Sequence, residues 1–171
     1  EYARITRTDT DKEMLLRNRV NKPAGVGFAL DFDGTNDYVN IPDNALLDLT
    51  SKISISLWTY QSTQVLAKNI IAKWDYQTQG SWGFGIDPNT DVDELKGYIT
   101  TSLTDDGNGF NAKTQSANLA TNTWNHIVVV FDGTETGNAN RYKIYVNGVN
   151  QTLSFTGTAP SALQNSTASV K

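Results

Sequence analysis

Trp124-Asn125-His126-Ile127-Val128-Val129-Val130-Phe131-Asp132-Gly133 is followed, after an irregular polar loop, by Arg141-Tyr142-Lys143-Ile144-Tyr145-Val146-Asn147-Gly148. Both runs are rich in β-branched and aromatic residues, which suit a pleated, half-buried surface. The second closes on Asn147-Gly148 before Val149 to Phe155 runs back. An Asn-Gly pair between two such runs predicts a type I′ hairpin, because that turn needs positive φ at both central residues. Two long strands and a tight return therefore lie in sequence order. The pattern is antiparallel.

Upstream, the same alternation recurs. Ile53-Ser54-Ile55-Ser56-Leu57-Trp58-Thr59-Tyr60 predicts a strand with Ile53, Ile55 and Leu57 inward and Ser54, Ser56, Trp58 and Tyr60 outward. Ile70 to Trp74 and Ser81 to Ile86 predict the next pair; Trp82, Phe84 and Ile86 share one face, and Gly83 and Gly85 leave room on the other. Leu95, Ile99 and Leu103 alternate with Lys96, Tyr98, Thr100 and Ser102. Trp74, Trp82 and Trp124 are expected in the core. Residues 156–171 are rich in Ser, Thr and Ala and read as a loop or tail. Short strands separated by Gly, Asn, Thr and Ser turns, with no solenoid period, give an all-β sandwich.

With 171 residues the chain fits one such domain. The net charge of −4 argues against a nucleic-acid partner, which would call for a basic stripe. No apolar run is long enough to insert across a membrane. The absence of cysteine excludes a disulfide framework and a thiolate metal site. The chain begins at Glu1 and shows no signal peptide, and so reads as a processed product or an excised piece. Asn150-Gln151-Thr152 and Asn165-Ser166-Thr167 match the glycosylation pattern and are read as chance matches in an Asn/Thr-rich chain.

Residues 1–24 stand apart. Arg4, Arg7, Lys12, Arg17, Arg19 and Lys22 are six of the 14 basic residues. Tyr2 to Thr6 is a candidate strand, and Thr10-Asp11-Lys12-Glu13 has capping-box spacing ahead of Met14-Leu15-Leu16, which predicts one short helix near the N-terminus. A basic leader or linker is the alternative.

From Phe28 the chain reads Phe28-Ala29-Leu30-Asp31-Phe32-Asp33-Gly34-Thr35-Asn36-Asp37-Tyr38-Val39-Asn40-Ile41-Pro42, two strands round an Asp-Gly turn. This resembles the opening A-L-x-F-D-G-x-N-D-Y-V of laminin G-like domains, and the Trp124 to Gly148 stretch resembles their back half. The resemblance implies a concanavalin A-like, two-sheet antiparallel jelly roll over residues 25–171. It also makes Glu1-Tyr2-Ala3-Arg4-Ile5-Thr6-Arg7 similar to the strand with which such domains usually close, D-E-V-R-I-Y, displaced to the front of the chain. Residues 25–171 would then lack their usual last strand, leaving permutation, a preceding repeat or completion of a neighbouring subunit as explanations.

The resemblance extends to glucanases, some of which carry E-x-D-x-x-E on a concave strand. Retaining hydrolysis needs two carboxyl groups about 5–5.5 Å apart, and no such motif occurs here. His126 is the one histidine, lies within a strand and reads as structural. The chain is therefore expected to be no enzyme. Many laminin G-like relatives hold a structural calcium (Ca2+) at the opening turn, which implies Asp33, Gly34, Asn36 and Asp37 as ligands; simple turn formation is the competing use. Asp87 to Asp93 only partly mimics an EF-hand loop, with Val92 in place of its glycine.

A glycan needs an exposed aromatic platform beside hydrogen-bonding groups. Outward parity nominates Trp58, Tyr60, Tyr98 and Tyr145, with Lys73 and Asp75 as polar partners. Plain coverage of a sheet face is the alternative use of these aromatics. The expected function is a noncatalytic, secreted or cell-surface recognition and adhesion module for carbohydrate or protein. The competing class is an assembly subunit of a filament, tandem array or virion, completed by a neighbouring repeat or subunit.

Overall fold

The computed structural model describes residues 4–6, 29–63, 68–75, 79–87, 94–100, 109–115 and 119–171. Among the described residues, eleven strands run in chain order: β1 (Arg4–Thr6), β2 (Tyr38–Asn40), β3 (Lys52–Tyr60), β4 (Asn69–Asp75), β5 (Gln79–Ile86), β6 (Leu95–Ile99), β7 (Phe110–Thr114), β8 (Trp124–Asp132), β9 (Tyr142–Val146), β10 (Val149–Asn150) and β11 (Leu153–Thr156). A four-stranded sheet has the order β10-β9-β8-β3, a five-stranded sheet β11-β7-β6-β5-β4, and β1 pairs with β2. The main pairings are all antiparallel. The expected two-sheet jelly-roll sandwich is the observed fold.

Period-2 patterning builds the core. Trp82, Phe84 and Ile86 of β5 face Ile127, Val129 and Phe131 of β8 and Tyr142, Ile144 and Val146 of β9, and all are buried in one cluster. Burial of a large aliphatic or aromatic side chain contributes roughly 1.5–3 kcal/mol, so these layers dominate the fold's stabilisation. Phe110 links the sheets, its ring centroid 5.6 Å from Tyr142 and 5.8 Å from Phe155. A side chain at Gly97 would collide with the Tyr142 hydroxyl, so glycine there lets that ring cross the sandwich. Burial pushes the Tyr142 phenol well above its ordinary pKa.

The hairpin forms as its sequence predicts: Asn147 has φ 50° and Gly148 φ 81°. Asn147 does more than turn the chain. Its Oδ1 accepts the His126 N–H at 2.9 Å and its Nδ2 donates to Asn125 Oδ1 at 3.3 Å. The loop before β9 contains one helical turn, α1 (Asn138–Arg141). Arg141 Nη1 donates to the Ala159 carbonyl at 2.5 Å and ties that loop to the C-terminal segment.

Four expectations need correction or lie out of reach. Residues 156–171 are no loose tail: Ala159, Leu163, Ser166, Ala168 and Val170 are buried. Val170 bridges both Ile41 and Lys73, and Ala72 and Lys171 exchange two backbone hydrogen bonds of 2.8 and 2.9 Å. Small side chains that read as loop formers here let the backbone lie close against its neighbours. Residues 30–37 form no strand, so only the second arm of the opening pair, β2, is regular. Trp82 is in the core, but Trp74 and Trp124 are half-buried and lie on outer faces. The N-terminal helix, Asp91, Asp93 and Leu103 fall outside the described residues.

Candidate ligand-binding face

Unbroken β3–β8 register sets Trp58 opposite His126, Tyr60 opposite Trp124 and Ser56 opposite Val128. On the far side of β8, Val128 is opposite Tyr145 of β9. Trp58, Tyr60, Trp124, His126 and Tyr145 therefore share the outer face of the four-stranded sheet. The Trp58 and His126 rings lie 4.9 Å apart at 30°, and those of Tyr60 and Trp124 5.6 Å apart at 56°. Ser56 Oγ and His126 Nε2 are hydrogen-bonded at 2.9 Å. Trp58 is 50% exposed, the most open aromatic on this face. Together these side chains make a band of π surface edged by hydroxyl and imidazole groups.

Tyr98 points outward as expected, but from the opposite face of the molecule. Its ring lies over Gly83, where any side chain would collide with it, and its Oη donates to Asn69 Oδ1 at 3.1 Å. Trp74 stands edge-on to it, 5.0 Å away at 88°. Nearby, Lys113 Nζ sits 2.8 Å from Asp87 and 2.5 Å from Glu94, whose side chains are largely buried. Hydrogen bonds donated to both carboxylates raise the Lys113 pKa. The start of the EF-hand-like stretch, Asp87, is thus held in an ion-paired cluster.

Lys73 is displaced from the expected site altogether. Ile71 and Lys73 are opposite Phe84 and Trp82, so the lysine enters the inward face and is only 1% exposed. Its ammonium binds the Asp43 carboxylate, lies 3.5 Å from Asp48 and donates to the Ala168 carbonyl at 3.3 Å. The ion pair ties β4 to the 43–48 turn and to the C-terminal segment. Asp75 is exposed at the end of β4, beyond a register shift between Lys73 and Trp74. The structure thus gathers Trp58, Tyr60 and Tyr145, separates Tyr98, and buries Lys73. No local pattern marked that burial, since apolar Ile70, Ala72 and Trp74 alternate with Lys73 and the β4–β5 register shifts on both sides of Ile71 and Lys73. Trp124 and His126 are the members of the band that sequence reasoning missed; their outward parity follows once the β3–β8 register is known.

At the opening turn, Gly34 has φ 81°. Asp33 Oδ1 accepts the Thr35 N–H at 2.8 Å, and Asp37 Oδ2 accepts the Asp33 N–H at 3.0 Å. One oxygen of each carboxylate thereby closes the turn, with Gly34 and Asn36 between them. Among the described residues, no group of three or more His, Cys, Asp or Glu side chains gathers as a metal site.

A family model of the concanavalin A-like lectin/glucanases superfamily, in its laminin G-like form, matches residues 33–170. The chain belongs to this laminin G-like family. That membership supports a lectin-like binding module in general, in a family whose domains are generally noncatalytic and typically extracellular. Searches of curated proteins and of solved structures give no match. No helix of the described residues in this laminin G-like domain is long and apolar enough to cross a membrane.

Proposed function

We propose that this laminin G-like domain is a noncatalytic extracellular recognition and adhesion module that binds carbohydrate on the outer face of its four-stranded sheet. The observation that carries the reading is the half-open Trp58 ring beside His126, continued by Tyr60, Trp124 and Tyr145. A pyranose presents an apolar face of C–H groups, which an aromatic ring receives, while hydroxyl and imidazole groups at the rim take its hydrogen bonds. Ser56 and His126 have the required chemistry. A protein ligand is the other partner of the same face, since exposed aromatics also anchor protein interfaces.

The reading includes a structural calcium at Asp33, Gly34, Asn36 and Asp37, remote in sequence from the aromatic band. A glycan array with and without EDTA tests both parts. Saturable sugar binding, lost on Trp58→Ala, is the expected result. Calcium should raise the melting temperature of the unaltered chain and not that of Asp33→Asn. Turnover of β-glucans above background would overturn the noncatalytic assignment. No glycan binding together with concentration-dependent assembly would favour the structural-subunit class.

A further inference from the structure

The edge of β3 carries an inference independent of any glycan. His126 directs both its backbone groups toward β9: its N–H donates to Asn147 Oδ1 at 2.9 Å, and its carbonyl accepts from Asn147 N–H at 2.8 Å. Trp58, its cross-strand partner, is therefore in a non-hydrogen-bonded pair, and its own N–H and C=O point away from β8. By alternation Lys52, Ser54 and Ser56 do the same. Outside the strand the parity holds, since the Ser51 and Gln61 carbonyls accept from Gly133 and Asn122 on the β8 side. The Thr50 carbonyl accepts from Leu163 and marks where the open edge begins. Among the described residues, no strand pairs with β3 on that side.

Among the described residues, this edge lacks the usual protection. β3 has nine residues in continuous register, with no bulge and no proline, and its lysine lies at one extremity. Long, flat edges of this kind are templates for strand addition. The core is also thin beneath it: Ile53, Ile55 and Leu57 are half-buried, whereas Ile127, Val129 and Phe131 on β8 are buried.

We infer that β3 pairs antiparallel with β3 of a second copy of this chain, about a two-fold axis at Ser56. That register overlaps all nine residues and is self-complementary. Ser54 meets Trp58 of the second copy, Lys52 meets Tyr60, Ile55 meets Leu57 and Ile53 meets Thr59. Small faces large on the outer surface, apolar faces apolar or half-polar on the inner one, and no like charges oppose each other. The even residues that aim their backbone groups outward are the ones that would exchange hydrogen bonds across the axis. The two four-stranded sheets become one sheet of eight. The two Trp58 residues then stand about 14 Å apart on a continuous outer face, from four residues at roughly 3.4 Å each plus one strand spacing.

Sedimentation of the full chain from micromolar to submillimolar concentration, with Ser56→Lys and Ser56→Glu variants, tests the pairing. The unaltered chain should reach twice its 18.8 kDa mass. Each variant alone, placing like charges on the axis, should associate at least about 100-fold more weakly, and their equimolar mixture should dimerise again. A monomer at every concentration, or a dimer insensitive to both variants, would overturn the inference. Where either variant fails to fold, hydrogen exchange on the unaltered chain decides. Protection of the Ser54, Ser56 and Trp58 amides that grows with concentration supports β3 pairing; protection independent of concentration shows the edge covered within one chain and defeats it.

Discussion

The two outer faces of this sandwich carry similar residues and use them differently. On the four-stranded sheet, Trp58 leans on His126 and keeps half its surface open. On the five-stranded sheet, Tyr98 lies down on Gly83, anchors its hydroxyl to Asn69 and takes Trp74 against its ring. One face presents its aromatic side chains; the other spends them on its own strands. Outward parity therefore identifies side chains that leave the core, while the residue beneath each ring decides whether it remains available to a ligand. Glycine draws a ring down; a ring or β-branched neighbour holds it up.

Changes to the five-stranded side should register first as lost stability. Lys73→Ala leaves the Asp43 and Asp48 carboxylates without their cation and removes the side-chain hydrogen bond from β4 to the Ala168 carbonyl. Breaking such a pair from one side should destabilise by roughly 3 kcal/mol in urea unfolding. An unchanged midpoint would return Lys73 to the surface role its type suggested. Gly83→Ala should cost about 2 kcal/mol by forcing Tyr98 off the sheet, and much of that loss should vanish in the Gly83→Ala/Tyr98→Ala double variant. Additive losses in that cycle would mean that the ring is not what occupies the space above Gly83.

The four-stranded side should respond more mildly. Asn147→Ala removes the amide that holds the His126 N–H and leaves a non-glycine, non-Asn residue at φ 50°. A loss of about 1 kcal/mol is expected, read as a lowered thermal midpoint. The smallest effect is electrostatic. Lys52, 2.8 Å away, holds the Asp132 carboxyl down at about 2, aided by Thr134. A carboxyl depressed in the folded state stabilises above its ordinary pKa of about 3.9 and loses that contribution as pH falls through its folded value. Melting temperature measured between pH 5 and about 2 should therefore decline less steeply in Lys52→Met than in the unaltered chain. Parallel curves would contradict the pairing.

Most of the architecture was legible because its cues are local. Asn147-Gly148 demanded a left-handed pair, and alternation in residues 53–60 assigned faces correctly. The C-terminal segment was not legible, since its place between Ile41 and Lys73 depends on partners distant in sequence. The same distance hid the Asp43–Lys73 pair. Of the candidate ligand residues, strand parity identified the outward set, yet it could not show that Tyr98 belongs to the other sheet. Nor could it raise Trp124 and His126 into the band, because their proximity to Trp58 and Tyr60 is set by β3–β8 register.

The central claim is that the open band, and not the collapsed Trp74–Tyr98 corner, receives the ligand. The direct test is isothermal titration of the strongest array glycan against the unaltered chain, Trp58→Ala and Tyr98→Ala, each shown to be folded. The account predicts binding at least about tenfold weaker for Trp58→Ala, equivalent to about 1.4 kcal/mol, and near-unaltered affinity for Tyr98→Ala. The reverse order would contradict it and move the site to the five-stranded face.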